Sequence, residues 1–295
     1  MRSEAVVVVD SASSHARVPA ARNTPSRPST SPGAGKPALR AAATSWFIVA
    51  AVGQAVFAFY VIGAYGSSIV LARFEQWNKF FPRGHGYIPG DTPGNVALLL
   101  HLSLVTVVML GGVLQLIPGL RRRWPAFHRW TGRAYLASVL IVSGGGLVLN
   151  FTREAIGTPA QNLATRINAL LIIGFAAMAL HRARAGRIDL HRRWALRLFL
   201  AASGVWFIRV MWWLWVAIAR GLGHDPEGLG GIFTVMSFAQ FVLPLFVLEL
   251  YFRAQARGGP RRRIALAATL GGLTLATAAG IVAVTLGMWL PRLGR

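Results

Sequence analysis

Two histidine–arginine pairs stand at matching positions of a weak internal repeat and could hold an iron cofactor. His128-Arg129 opens one apolar segment, and His191-Arg192 opens another. In helical bundles, haem iron takes neutral imidazoles from different helices at one depth, and guanidinium groups bind carboxylates such as the propionates. The pattern predicts a single b-type haem between His128 and His191, with His181 as a substitute ligand and propionate partners at Arg129, Arg133 and Arg192.

A second set of polar residues lies within the apolar segments themselves. A charge near the centre of a bilayer costs about 2.5–3.5 kcal/mol on the insertion scale unless it meets a partner or water. Arg209 has no carboxylate at its expected depth, so an anionic ligand or a quinone could occupy a pocket beside it. The alternative is that these polar groups only join helices to one another. The candidate pocket residues, one from each of five segments, are His101, Asn150, Asn168, Arg209 and Gln240.

Two other features of the apolar segments have simpler interpretations. Glu249 is the only carboxylate in any of them, and we expect it to pair with Arg253, four residues further along one helix. Clustered aromatic residues near Arg209 are typical of the belt at a membrane interface, although some could line the pocket. They are Trp206, Phe207, Trp212, Trp213 and Trp215.

The composition identifies the class of protein that must position these groups. Hydrophobic residues make up 54% of the 295 residues and charged residues 14%, against about 25% charged in an average soluble domain. A soluble globule could not bury so much apolar side chain, so the chain is predicted to be a polytopic membrane protein. The absence of cysteine excludes disulfides, thiolate metal sites and cysteine nucleophiles.

Seven apolar stretches approach or exceed the roughly 20 residues that a helix needs to cross the hydrocarbon. We therefore predict an all-α fold of about seven transmembrane helices. Stretches two to five should form the core, and the first and last, which carry no formal charge, should pack outside it. The stretches are 44–71, 96–118, 134–151, 163–181, 194–219, 232–252 and 264–290.

Basic residues alternate between the connecting segments. The tail 1–43 holds six Lys or Arg, and loops 119–133, 182–193 and 253–263 hold five each. The positive-inside rule then places the N-terminus in the cytoplasm and the C-terminus outside a bacterial cytoplasmic membrane. The formal charge of +22 thus predicts contact with anionic lipid, not nucleic acid.

The same pattern divides the chain into three parts. Residues 1–43 are rich in Pro, Ser, Ala and Arg and are predicted to be a disordered cytoplasmic tail. Residues 44–290 form the transmembrane domain, and residues 291–295 form a short external tail.

Several motifs resemble an uncharacterised family of predicted bacterial membrane proteins. The motif residues are His101, Gly111, Gln115, Pro118 and Arg121, then the run from His128 to Tyr135 (HRWTGRAY), then His191, Arg192, Trp194, Arg197 and Arg209. The resemblance covers about residues 96–215 and implies a helical integral membrane fold, without an established substrate, cofactor or catalytic residue. A looser similarity to cytochrome-b-type helical bundles is an analogy of architecture.

Three classes of function follow from these residues. The first is a membrane redox component with one haem at the cytoplasmic side. The second is a transporter or a protein that binds a small anion or quinone near Arg209 and His101, and the third is a structural or sensory membrane protein. Motifs of P-loop ATPases, zinc proteases, Rossmann dehydrogenases and Ser hydrolases are all missing from the sequence. Whether the chain is an enzyme stays open.

Overall fold

A computed structural model describes residues 35–81, 85–153, 157–226 and 231–293. These ranges are helical and contain no β-strand, which confirms the predicted all-α class. The α-helices are α1 Lys36–Val70, α2 Thr92–Leu116, α3 Pro118–Arg123, α4 Pro125–Thr152, α5 Pro159–Arg184, α6 Ile188–Ala202, α7 Gly204–Gly221, α8 Ile232–Arg257, α9 Pro260–Val284 and α10 Leu290–Leu293. A 3₁₀ turn at Phe74–Lys79 follows α1, and a π turn at Thr285–Trp289 joins α9 to α10.

Local sequence sets where many of these helices begin. Proline occupies the first turn of α2, α3, α4, α5 and α9, where its missing N–H costs nothing. Thr158 and Gln161 form a reciprocal capping box at the start of α5. Asp91 caps α2 by accepting the Gly94 N–H at 2.9 Å.

Within the described ranges, six helices are long and apolar enough to cross a membrane, and a bent pair could form a seventh span. The pair is α6 and α7, which meet at an angle of 50°. The prediction of one continuous helix over 194–219 is therefore wrong. Ser203 Oγ donates to the Phe199 carbonyl at 2.7 Å, and Gly204 follows, a combination that bends helices. On one straight helix His191 and Arg209, eighteen residues apart, would share a face, and the bend between them removes the basis for that alignment.

Helices α1 and α9 run parallel to each other. A Cβ built on Gly35 would lie 3.0 Å from Arg263 Cβ, and one on Gly63 would lie 2.7 Å from Leu293 Cδ2. The start of α1 and the end of α10 therefore lie at opposite ends of the bundle, as expected for an odd number of crossings. We call the end with Lys36 and the loops before α4, α6 and α9 the basic face, and the other end the opposite face. That the basic face is cytoplasmic stays a prediction.

The prediction that the first span packs outside the core is wrong. In the most apolar stretch of α1, 39% of residues are buried, against 17% for the helix that ends the described chain. Gln54 of α1 is 1% exposed and donates to Ser203 Oγ at 3.0 Å, beside the break between α6 and α7. Because Gln54 contacts a helix break inside the bundle, α1 must pack among the other helices. Hydropathy alone does not reveal this position of α1.

Helix α1 also begins earlier than expected. Residues 36–43, predicted as part of a disordered tail, are helical, and Leu39 is buried against α8 and α9. The rest of that predicted tail, residues 1–34, and residues 294–295 of the predicted external tail lie outside the described ranges.

Candidate functional site

A cavity of about 640 Å³ runs inward from the basic face between the helices. Its walls are mainly apolar side chains of α1, α2 and α5–α9, such as Phe47, Leu198 and Val247. Its polar groups come chiefly from the end of α2 and the starts of α4 and α6. Such a shape, with a polar end and apolar depth, suits a ligand that is mostly apolar and has a polar head.

His191 lies in the first turn of α6 and lines this cavity. Its Nδ1 is 2.9 Å from the Ala179 carbonyl oxygen of α5. A carbonyl can only accept, so Nδ1 carries the proton of the neutral ring. The lone pair on Nε2 is then the acceptor that His191 offers to a ligand.

His128 lies in the first turn of α4 and has the opposite polarity. Gln115 of α2 fixes it when its amide is oriented so that both of its ends are satisfied: the amide oxygen then accepts from the Gly132 N–H at 3.1 Å and from the Thr131 hydroxyl at 2.6 Å. The Gln115 amide nitrogen is then 3.0 Å from His128 Nδ1 and donates to it. His128 Nδ1 is thus an acceptor, and the ring proton lies on Nε2, which becomes a donor.

The cavity brings together five of the six residues predicted to bind a cofactor. His128 and His191 are close enough to interact electrostatically. The sixth residue, His181, is exposed and is not part of the cavity wall. The lining residues from the predicted set are His128, His191, Arg129, Arg133 and Arg192.

Two of the five predicted pocket residues meet at the break between α6 and α7. A Cβ on Gly204 would lie 2.8 Å from Asn168 Nδ2 and 3.2 Å from Gln240 Oε1. Asn168 Nδ2 donates to the Ala201 carbonyl at 3.2 Å, in the last turn before the break. These two amides therefore support the broken helix from α5 and α8.

Asn150 and His101 occupy separate places in the bundle. Asn150 accepts from Arg166 Nε at 2.6 Å and donates to Asn162 Oδ1 at 3.1 Å, which ties α4 to α5. His101 packs against α4 beside Gly146, where a Cβ would lie 3.9 Å from its ring. Its buried Nδ1 has no hydrogen-bond partner among the described residues.

Arg209 faces α1. Its guanidinium lies over the Phe57 ring, 5.4 Å from the centroid, and Nη1 donates to the Val205 carbonyl at 2.6 Å. It also interacts electrostatically with Tyr60, His101 and Arg292. Of the aromatic residues near it in sequence, Trp206 and Phe207 are buried in the core, while Trp212, Trp213 and Trp215 are partly exposed.

The predicted pair of Glu249 and Arg253 is confirmed, and a second arginine joins it. Glu249 accepts from Arg253 Nε at 3.4 Å and from Arg197 Nη2 at 3.0 Å. The Arg197 guanidinium also lies 4.9 Å from the Trp194 ring centroid. The ion pair between Arg197 and Glu249 attaches α6 to α8 near the basic face.

The candidate residues predicted from sequence do not include Gln54, Tyr60 or Arg292, which the structure places beside polar groups of other spans. Gln54 and Tyr60 carry polar atoms within a largely apolar first stretch, and this is the signal that the sequence offers for them. Arg292 lay in the segment that was expected to be an external tail.

Comparison with known protein families identifies a family for this chain. A family model, DUF2306, described as a predicted membrane protein, matches residues 98–252 and so covers more than half of the chain. The match includes the motifs from His101 to Arg209 and extends past the region of the expected resemblance. No curated protein and no protein of known structure matches the chain.

Proposed function

We propose that this chain, which belongs to the DUF2306 family of predicted membrane proteins, binds a membrane-soluble quinone in the cavity at the basic face. One observation carries the proposal. His128 offers a donor and His191 an acceptor at the polar end of a largely apolar cavity. A quinone has the matching form, with oxygen atoms on a ring and an apolar tail.

The two histidines give the ring oxygens different partners. A quinone carbonyl would accept from His128 Nε2–H, and the hydroxyl of the reduced form would donate to His191 Nε2. Arg129, Arg133 and Arg192 make the potential at the same end of the cavity positive. A positive potential favours electron-rich oxygen atoms there and supports the orientation with the tail directed inward.

A b-type haem is a second candidate because His191 has the hydrogen bond that is typical of ligating histidines. Its Nδ1–H donates to a backbone carbonyl, which orients the ring and makes Nε2 a better ligand. Arg129, Arg133 and Arg192 could bind the propionates. The tautomer that Gln115 imposes on His128 favours the quinone, because a protonated Nε2 cannot bind iron.

Ligand titration tests the quinone proposal. Trp46 lines the cavity, so a short-chain ubiquinone analogue should quench part of the tryptophan fluorescence of the purified protein. Replacing His191 or His128 by alanine should weaken binding about five- to tenfold, as expected when one hydrogen bond of about 1–1.4 kcal/mol is lost.

His181→Ala is the matched control, because His181 is exposed and lies outside the cavity wall. Equal affinity in all three variants would refute the quinone site. A Soret band in protein from haem-replete cells, lost in His191→Ala, would favour haem instead.

We further propose that the basic face contacts anionic lipid in the bacterial cytoplasmic membrane. Trp124 and Trp130 are 55% and 69% exposed there, and Arg123 and Arg133 lie over their rings. Such basic and aromatic surfaces are typical of the headgroup region. Alkaline phosphatase is active only outside the cytoplasm, so an active phosphatase fused after Arg295 would support a cytoplasmic basic face. An inactive phosphatase fusion, together with fluorescence from a separate fusion of a fluorescent protein after Arg295, would oppose it.

A further inference from the structure

Two arginines from different helices lie near the opposite face, and neither of them lines the histidine cavity. Arg209 belongs to α7 and Arg292 to α10, and each interacts electrostatically with the other. Tyr60 of α1 has its hydroxyl 3.5 Å from Arg292 Nη1 and also interacts electrostatically with Arg209. Tyr65, one turn further along α1, is within electrostatic range of both guanidiniums.

The π turn at Thr285–Trp289 packs beside Arg209, Arg292 and Tyr60. Trp289 stacks on Tyr60 with 6.0 Å between ring centroids and contacts the Phe57 ring at 5.4 Å. Trp289 is 1% exposed, and its Nε1–H has no acceptor among the described residues. Single π turns inside α-helices occur often at functional sites, because they reorient the side chains that follow. Here the next helix carries Arg292.

The two positive charges have no carboxylate in the described part of the chain. Asp91 is paired with Arg153, and Glu249 is paired with Arg197 and Arg253. Arg209 donates to one carbonyl and contacts one aromatic ring, although a guanidinium has five N–H donors. Two uncompensated guanidiniums beside a phenol and an unpaired indole N–H fit an oxyanion with several acceptor atoms.

We propose that Arg209, Arg292 and Tyr60 bind the phosphate group of an anionic ligand. The depth of the site suits a phospholipid. The segment of α1 from Lys36 to Tyr60 rises roughly 36 Å, against about 30 Å of hydrocarbon in a bilayer. Tyr60 and Arg292 would therefore lie near the level of the lipid phosphates. A free phosphate anion has the same chemistry, so the experiment separates the two sources.

The test measures thermal unfolding of the full chain in a maltoside detergent without phosphate. Inorganic phosphate or a short-chain phosphatidylglycerol is added at increasing concentration, with potassium chloride at matched ionic strength as the background. We expect wild type to unfold at a higher temperature with ligand. In Arg209→Gln and Arg292→Gln, at least ten times more ligand should be needed for the same shift.

Arg220→Gln is the matched control, because Arg220 is an exposed arginine at the other end of α7. It should respond as wild type does. Tyr60→Phe keeps the stacked ring and loses only the hydroxyl, so it should show a smaller loss and serves if an arginine variant does not fold.

The ligand source follows from which additive acts. A response to phosphatidylglycerol alone identifies a lipid site, and a response to both identifies a site for phosphate in general. The proposal is overturned if chloride gives the same shift, or if the arginine and tyrosine variants respond like wild type and Arg220→Gln.

Discussion

Replacing Arg153 by alanine should strongly destabilise the loop that precedes α2. Arg153 is the C-cap residue of α4 at the opposite face, and its side chain is 5% exposed. Its guanidinium donates to Asp91 Oδ2 at 2.9 Å, to the Gly86 carbonyl at 2.7 Å and to Asn95 Oδ1 at 2.8 Å. One side chain thus holds a loop, a helix cap and the first turn of α2.

The size of the effect follows from these three contacts. Hydrogen bonds that involve a charged group contribute about 1.5–3 kcal/mol each, and removing one partner of a buried ion pair costs about 3–5 kcal/mol. Water can reach the Asp91 side chain, which is 33% exposed, so we expect a loss near the lower limit, about 3 kcal/mol. This corresponds to a fall of roughly 6–12 °C in the midpoint of thermal unfolding.

Intrinsic tryptophan fluorescence during heating measures this midpoint in detergent. Arg153→Lys should recover only part of the loss, because an ammonium cannot reproduce the planar arrangement of donors. The matched control is Arg73→Ala, which removes an exposed arginine close to the same loop. If Arg153→Ala and Arg73→Ala unfold at the same temperature, the Arg153 guanidinium does not hold the loop.

Two other predictions concern packing and pH. Gly280→Ala should destabilise the protein by about 1–3 kcal/mol in thermal unfolding, because its Cβ would lie 2.7 Å from the Val210 carbonyl oxygen. Gly272→Ala, with nothing within 4 Å of a built Cβ, should have no such effect, and equal losses would contradict the packing argument. The Gly94 N–H, and then Arg153, hold the pKa of Asp91 below its ordinary value. Ionised Asp91 should therefore stabilise the fold above about pH 4, and this contribution should disappear as the pH falls through the lower folded pKa. The difference in unfolding temperature between wild type and Asp91→Asn should shrink below pH 4; a constant difference from pH 6 to 3 would contradict it.

The helical class, and the position of His128 and His191 at the starts of two helices, could be predicted because both depend on local patterns. Hydropathy marks the spans, and the repeated His-Arg pairs stand at the starts of two helices that begin at the same face. Equal position along two such helices places His128 and His191 at similar depth. The roles of the two rings could not be predicted, since they depend on Gln115 and the Ala179 carbonyl, which approach from other helices.

For the polar residues near the opposite face, the depth of each residue along its span did not predict which residues meet. Sequence gives the height of a residue along a span but not the direction of its side chain around the bundle. Asn168 and Gln240 face the helix break, Asn150 faces α5, and Arg209 faces α1. Hydropathy also did not reveal the bend after Ser203, because serine and glycine are common in transmembrane helices that stay straight.

The broken span has a consequence for how the nascent chain enters the membrane. Helix α6 has 15 residues, a rise of about 22 Å, and carries Arg192, Arg193 and Arg197, so it is too short and too polar to partition into lipid by itself. The ribosome adds Glu249, the acceptor for Arg197, 52 residues later. Helix α6 is therefore expected to enter the bilayer together with α7 as the bent pair, and Arg197 lacks this carboxylate partner until α8 is synthesised. The final steps of assembly therefore belong to the C-terminal part of the chain, and truncation before α8 would leave α6 without its charge partner.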